Sequence, residues 1–176
     1  MIIKPFETKR FIIREIVEAD AKSLLEMESD AEVLKFIGTP PLKNTDEILK
    51  VIRKVRGQYA EFGMGRLAIE RKEDGELVGW TGIKYEQHIR TIPYHDLGYR
   101  IKRKYWGKGI ATETGKASLE FGFNVLELSV INAGARIDHS ASIHVLKKLG
   151  MRITEEFPFD GHQNYFFELP KALSLY

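Results

Sequence analysis

Hydrophobic residues recur along the chain at two different spacings, alternation and helical spacing, which predict strands and helices respectively. Residues 8–16 read TKRFIIREI, where Phe11 and Ile13 alternate with Arg10 and Arg14 as in a half-buried strand. By similar patterns, strands are also predicted at residues 67–71, 77–85, 96–102, 125–136, 151–157 and 164–169.

Apolar residues recur at helical spacing in four other stretches. Asp20 is a helix N-cap before Ala21, Leu24 and Leu25, and residues 30–37 add another turn or two. After the break at residues 38–41 (GTPP), Asn44 starts a longer helix. Helices are also predicted at residues 111–123 and 140–149.

The order of these elements predicts an α+β, or mixed α/β, fold. Asp74-Gly75 favours a tight hairpin between the strands at 67–71 and 77–85, so the sheet is partly antiparallel. Residues 86–95 are predicted to form a loop. The chain has 176 residues and shows no repeat or linker, which predicts one domain over residues 1–176.

Composition excludes some functions. The chain contains no cysteine, which removes disulfides and thiolate chemistry. His88, His95, His144 and His162 show no metal-ligand spacing with carboxylates, so no metal is expected. A formal charge of +2 is too small to indicate nucleic acid or membrane partners. The first residues lack the apolar core of a secretion signal, which favours a cytoplasmic protein.

A glycine-rich turn at residues 105–112, YWGKGIAT, predicts a phosphate-binding site. Glycines allow close backbone approach, and the N-terminus of the next helix presents free amides. A nucleoside-triphosphate loop is disfavoured because Gly109, not Ser or Thr, follows Lys108. A dinucleotide fingerprint is weak because Thr112 stands where Gly or Ala is needed.

Three segments resemble the GNAT superfamily of N-acetyltransferases. Residues 97–123 resemble its acetyl-CoA-binding motif, Q/R-x-x-G-x-G/A, with Trp106 at the first position as in the ribosomal-protein N-alpha-acetyltransferase branch. Residues 8–21 and 139–151 resemble two further motifs of that branch. The resemblance implies a GNAT-type acyl-CoA N-acyltransferase fold, a mostly antiparallel mixed sheet flanked by helices.

The resemblance also implies a co-substrate, acetyl-CoA, and the residues that bind it. The strand residues Tyr99, Arg100 and Ile101 are expected to pair with the pantetheine arm. The pyrophosphate is expected on the backbone amides of the glycine turn, at Gly107, Lys108, Gly109, Ile110, Ala111 and Thr112. Aligned amides and the helix dipole suit an anion there.

Candidate catalytic residues follow from the same resemblance. Ser142 matches a serine that donates to the leaving thiolate, whereas the usual tyrosine position is held by Leu146. His139 stands where an asparagine is expected to contact CoA. Asp96 is the leading candidate for a general base, with Glu86 and Asp160 as weaker alternatives.

The predicted reaction is direct attack of a primary amine on the thioester of acetyl-CoA. The acceptor is predicted to be a protein N-terminal α-amine or a small amine, since an α-amine is more readily neutral than a lysine. A CoA-binding sensor without catalysis is the alternative. The basic run at residues 100–104 raises RNA as a possible partner, but residues on a strand do not all point to one side and solvated edges are often basic, so nucleic acid is an unlikely partner. No membrane is expected, and the chain is predicted to be a monomer or homodimer.

Overall fold

The computed structural model describes residues 3–176 and contains one eight-stranded sheet. The strands are β1 (Phe6–Glu7), β2 (Phe11–Glu15), β3 (Leu67–Arg71), β4 (Leu77–Glu86), β5 (Tyr94–Ile101), β6 (Val130–Arg136), β7 (Arg152–Phe159) and β8 (His162–Pro170). The α-helices are α1 (Ala21–Glu28), α2 (Ala31–Leu34), α3 (Thr45–Phe62), α4 (Ile110–Asn124) and α5 (Ser140–Lys148).

The strand order is β1-β2-β3-β4-β5-β6-β8-β7, and every neighbouring pair is antiparallel except β5 and β6. The crossover between the two parallel strands is made by α4, as parallel pairing requires a long connection. This arrangement confirms the predicted α+β class with a mostly antiparallel mixed sheet.

Small residues let α4 lie close against the sheet. A Cβ atom added at Gly122 would come within 2.3 Å of Ile83 Cδ1 and 2.7 Å of Ile131 Cδ1. Leu119 and Phe123 on the same helix are fully buried in the core below it. A second core region lies between the sheet and the pair of helices α1 and α3.

The long helix α3 begins at the cap residue that the sequence predicts, Asn44. The side chain of Asn44 accepts a hydrogen bond from the amide of Glu47 at 3.0 Å, and Glu47 in turn accepts from the amide of Lys43 at 2.7 Å. Gly63 ends the helix in the left-handed conformation, with φ of 66°.

Two boundaries differ from the prediction. The strand predicted from residue 125 begins only at Val130, because the amides of Leu126 and Leu128 close the end of α4 on Phe121 and Gly122 carbonyls. The predicted loop at residues 86–95 is shorter than expected, since β4 extends to Glu86 and β5 begins at Tyr94. Backbone pairing between β4 and β5 continues to Glu86↔Tyr94, beyond the residues whose pattern predicted the two strands.

Candidate active site

The sheet opens between its two parallel strands. β5 pairs with β4 along its whole length, but it pairs with β6 only at Asp96↔Asn132. Beyond Asp96, residues 97–101 therefore turn a strand edge toward a gap. Such an edge can pair with an extended ligand through its amides and carbonyls. The predicted pantetheine residues Tyr99, Arg100 and Ile101 lie on this edge.

The gap continues into a cleft of about 730 Å³. Its walls come from α1, α3, the sheet, the start of α5 and the β7–β8 hairpin. The predicted residues Asp96, Tyr99, Arg100, His139 and Ser142 all line it. The structure thus brings the candidate catalytic residues to one cavity.

The glycine turn lies at the start of α4. Gly107 and Gly109 have φ of 74° and 71°, and Gly109 is the N-cap residue of the helix. Within residues 3–176, no acceptor is found for the backbone amides of residues 107–112, and the first amide bonded to the turn is that of Glu113, 3.1 Å from the Gly109 carbonyl. This turn fits a pyrophosphate, since free amides at a helix N-terminus favour anions.

Two side chains hold the turn in place. The indole Nε1 of Trp106 donates to the carbonyl of Ile101 at 2.8 Å, which ties the turn to the end of β5. Glu113 accepts from Thr8 Oγ1 and Arg10 Nε, each at 2.7 Å. Trp106 therefore ties the turn to the end of β5, and Glu113 ties the first turn of α4 to the β1–β2 connection.

Ser142 has a partner that the sequence did not reveal. The phenol oxygen of Tyr99 lies 3.1 Å from Ser142 Oγ and 3.1 Å from the Ser142 carbonyl oxygen. Burial raises the pKa of the Tyr99 phenol, so the group keeps its proton. One turn further along α5, Leu146 is buried and carries no polar group.

His139 lies at the N-cap position of α5 and contacts the opposite wall of the cleft. Its ring stacks on Phe36, which follows α2 in the chain. Burial lowers the pKa of His139. The predicted contact of His139 with CoA stays a prediction.

Asp96 is held by an arginine at the floor of the cleft. Its carboxylate forms an ion pair with Arg66, and the same guanidinium donates to the Asp96 carbonyl at 2.6 Å. Both side chains are nearly buried, at 13% and 12% exposure. This ion pair fixes the Asp96 carboxylate at the floor of the cleft.

A second buried ion pair lies beside the first. Glu28 of α1 pairs with Arg100 and also accepts from Trp80 Nε1 at 3.2 Å. Burial lowers the pKa of Arg100. The guanidiniums of Arg66 and Arg100 lie 5.2 and 5.0 Å from the Trp80 ring. The two ion pairs and Trp80 together form the floor of the cleft.

The remaining basic residues near the end of β5 are also paired. Lys102 contacts Glu26 at 2.7 Å, and Arg103 contacts Asp30 at 3.0 Å. Lys104 contacts Glu76 at 2.7 Å. These contacts give the basic run a structural role within the chain.

Residues missed by the sequence analysis share one property: their partners lie far away in the chain. Glu28 and Arg100 are separated by 72 positions, and Arg66 and Asp96 by 30. A carboxylate on the inward face of α1 was the available signal for Glu28. No sequence signal marked Phe36.

Within residues 3–176, no three His, Cys, Asp or Glu side chains are grouped so as to hold a metal ion. No helix in the same range is both long and apolar enough to cross a bilayer.

A sheet that parts between its two parallel strands, together with a turn of free amides at the start of α4, fits an acyltransferase that takes its acyl group from coenzyme A. The family model described as an acetyltransferase (GNAT) domain matches residues 10–152, so the chain belongs to the GNAT family. It is an acetyl-CoA-dependent N-acetyltransferase. An uncharacterized N-acetyltransferase of Bacillus subtilis, YoaA, is 30% identical over 148 residues, which cover 83% of this chain and 81% of YoaA.

Solved structures confirm the GNAT-type fold. A GNAT-family acetyltransferase from Bacillus anthracis has a TM-score of 0.81 at 22% identity, over 96% of this chain and 99% of its own. A putative ribosomal-protein-serine acetyltransferase from Vibrio cholerae has a TM-score of 0.77 at 19% identity, over 97% and 99%. The spermidine N-acetyltransferase of Vibrio cholerae, solved with CoA and spermine, also scores 0.77, at 16% identity over 94% and 98%.

Proposed function

We propose that this enzyme acetylates the free α-amine at the N-terminus of a peptide or protein. The observation that carries the proposal is that the carboxylates in the cleft are already paired with cations. Glu28, Glu86 and Asp96 line it, and each already has a cationic partner, in Arg100, Lys84 and Arg66 respectively.

This charge pattern disfavours a polyamine. Five cationic and three anionic side chains line the cleft, and the cations are Lys54, Arg66, Lys84, Arg100 and Arg136. A polyamine carries several positive charges and would find no unpaired carboxylate among these residues. A peptide N-terminus brings one amine with an ordinary pKa of about 8, so a useful fraction is neutral at pH 7.

Acetyl-CoA would bind along elements already described. Its pyrophosphate would accept hydrogen bonds from the amides of residues 107–112, and its pantetheine arm would pair with the free edge of residues 97–101. That path directs the thioester toward Ser142 and His139 at the start of α5. Ile110, which is buried, and Ala111 would support the turn beneath the phosphates.

In the reaction, the amine nitrogen attacks the thioester carbonyl carbon. A C–N bond forms, the C–S bond breaks, and the electron pair leaves with sulfur. Ser142 would donate a hydrogen bond to the departing thiolate. The surplus proton on nitrogen would pass to solvent or, through a water, to Asp96. No covalent intermediate with the protein is needed.

The test is a panel of acceptors with release of free CoA as the measurement. The panel contains peptides with a free α-amine, the same peptides blocked at the N-terminus but carrying one lysine, and spermidine. We expect the free α-amine to give the highest kcat/KM. A higher value for spermidine would contradict the proposal, and CoA binding without release on every acceptor would favour a non-catalytic protein.

A charge variant sharpens this test. Lys54 lines the cleft, is exposed and forms no ion pair within the described residues, so Lys54→Glu adds a carboxylate that no cation already occupies. We expect kcat/KM for spermidine to rise about tenfold, equivalent to about 1.4 kcal/mol. Lys50→Glu, an exposed change one turn earlier on α3, controls for overall charge.

A further inference from the structure

We propose that Tyr99 is a positioning residue for the leaving thiol, whose hydroxyl orients the hydroxyl of Ser142 toward the sulfur of CoA. The inference rests on the proposed function in that CoA must occupy the cleft. It does not depend on which amine is the acceptor.

The Tyr99 phenol and the Ser142 hydroxyl meet although they belong to different walls of the cleft. Tyr99 lies on β5, at the free edge where the sheet opens, and Ser142 lies in the first turn of α5. The phenol oxygen is 3.1 Å from Ser142 Oγ and 3.1 Å from the Ser142 carbonyl oxygen. The two residues are 43 positions apart, so the contact is set by the fold.

The contact with Tyr99 determines to which acceptor the Ser142 hydroxyl can donate its proton. A hydroxyl has one proton and rotates about its C–O bond, so a lone serine samples several directions. Within residues 3–176, Tyr99 is the partner recorded for Ser142 Oγ. The phenol carries one proton, for which the Ser142 carbonyl and Ser142 Oγ compete at 3.1 Å each. A thiolate on the cleft side of Ser142 is a charged acceptor for the serine proton, so it favours the arrangement in which the phenol donates to Oγ and the serine donates to sulfur.

The phenol suits this role because it stays protonated. Tyr99 is surrounded by apolar groups, and burial raises the pKa of its phenol, so the group is a donor across the physiological range. It does not accept the proton that leaves the amine. The resemblance placed a tyrosine where Leu146 stands, and here a strand tyrosine contacts the first turn of the same helix.

The test measures the thiol pKa of CoA bound to the protein, from the ultraviolet absorbance of the thiolate during a pH titration. No acceptor is needed. Ser142→Ala is expected to raise the thiol pKa by about 1, since a hydrogen bond to a charged group is typically worth about 1.5–3 kcal/mol. Tyr99→Phe is expected to raise it by about 0.5.

The double variant separates positioning from a structural effect. In the Ser142→Ala background, Tyr99→Phe should leave the thiol pKa unchanged, because the group it orients is gone. Tyr165→Phe removes a phenol oxygen from another half-buried tyrosine that does not line the cleft, and it should also have no effect. With the preferred acceptor, Tyr99→Phe should lower kcat about threefold and leave KM for acetyl-CoA unchanged.

Two results would overturn the inference. One is an unchanged thiol pKa in Tyr99→Phe, and the other is an equal rise with and without Ser142. Failure of the wild-type protein to bind CoA is a different result, which would overturn the proposed function first and this inference with it.

Discussion

Phe36 stacks on His139 across the cleft, with ring centroids 4.2 Å apart and ring planes 13° from parallel. The guanidinium of Arg136 lies 5.4 Å from the Phe36 centroid. Two residues later, a Cβ atom at Gly38 would come within 2.0 Å of Asp160 Oδ2. Residues 35–44, the bridging segment between α2 and α3, therefore join the helical wall of the cleft to the wall formed by α5 and the β7–β8 turn.

Removing the Phe36 ring should change the titration of His139. Burial lowers the pKa of His139, and Phe36 covers one face of the imidazole. We expect Phe36→Ala to raise the His139 pKa toward its ordinary value, as measured by NMR titration of the imidazole. The stability cost should be about 1–2 kcal/mol, for a half-buried aromatic pair. Ile37→Ala, at an exposed neighbour, should leave the His139 pKa unchanged.

The two histidines with lowered pKa values should make the fold less stable in mild acid. Burial lowers the pKa of both His95 and His139 below the ordinary 6.5. Between their folded and unfolded pKa values, the unfolded chain binds more protons, so the free energy of unfolding falls as pH decreases through about 6.5.

Urea unfolding at pH 5 to 7.5 measures this slope. His139→Asn should make it shallower, and adding His95→Gln should make it shallower again. Phe36→Ala should act in the same direction as His139→Asn. A slope that survives both histidine substitutions would show that other groups, such as the paired carboxylates, control stability in this range.

The sequence predicted those features that depend on local pattern. The glycine turn was identifiable because Gly107 and Gly109 are needed at positive φ immediately before a helix. The cap of α3 at Asn44 followed from the same kind of local chemistry. The β4 and β5 strands were placed to within a few residues, since hydrophobic alternation marks their buried faces.

The features that the sequence could not predict depend on how elements distant in the chain approach one another. The pairing of Tyr99 with Ser142 requires that β5 and α5 meet where β6 departs from β5, a fact set by topology alone. Glu28 looked like an ordinary helix carboxylate until the fold placed Arg100 and Trp80 beside it. Asp96 was predicted as a base from position, without knowledge that Arg66 holds its carboxylate.

The amide turn predicts a specific loss of CoA binding in Gly109→Glu. The new carboxylate would lie beside the phosphates, and a like charge at about 4 Å is worth several kcal/mol at an effective dielectric of about 20. We expect the Kd for CoA to rise about 100-fold or more, measured by calorimetry.

Gly75→Glu provides the matched control. Gly75 has φ of 72°, close to the 71° of Gly109. A Cβ atom would meet nothing within 4 Å at Gly75 and would meet Arg10 Nη2 at 3.9 Å, an ordinary van der Waals contact, at Gly109. Both variants should lose about 1–2 kcal/mol of stability from left-handed backbone strain. Only Gly109→Glu should lose CoA binding. Equal CoA affinity in the two variants would refute the assignment of the turn.

Asp96→Asn tests whether Asp96 acts as a base or anchors Arg66. Asparagine keeps the shape but removes the charge, which leaves the Arg66 guanidinium buried without its counter-ion. Breaking a buried pair in this way typically costs about 3–5 kcal/mol, measured by urea unfolding. If Asp96 has only a structural role, stability falls and the pH profile of kcat is unchanged. If Asp96 is the base, the decrease of kcat on the acidic side of that profile disappears in the variant.

The double variant Asp96→Asn with Arg66→Met decides between the two roles. Replacing the arginine by an apolar side chain removes the unpaired charge, so most of the lost stability should return. If Asp96 only anchors Arg66, kcat in the double variant should recover toward the wild-type value, because the floor of the cleft is again free of an uncompensated charge. If Asp96 accepts the proton of the attacking amine, stability should recover but kcat should remain low at every pH. Arg14 and Asp20 form a partly buried pair, with N–O contacts at 2.9 Å, and neither residue lines the cleft. The double variant Arg14→Met with Asp20→Asn therefore shows how far such a change away from the cleft alters kcat.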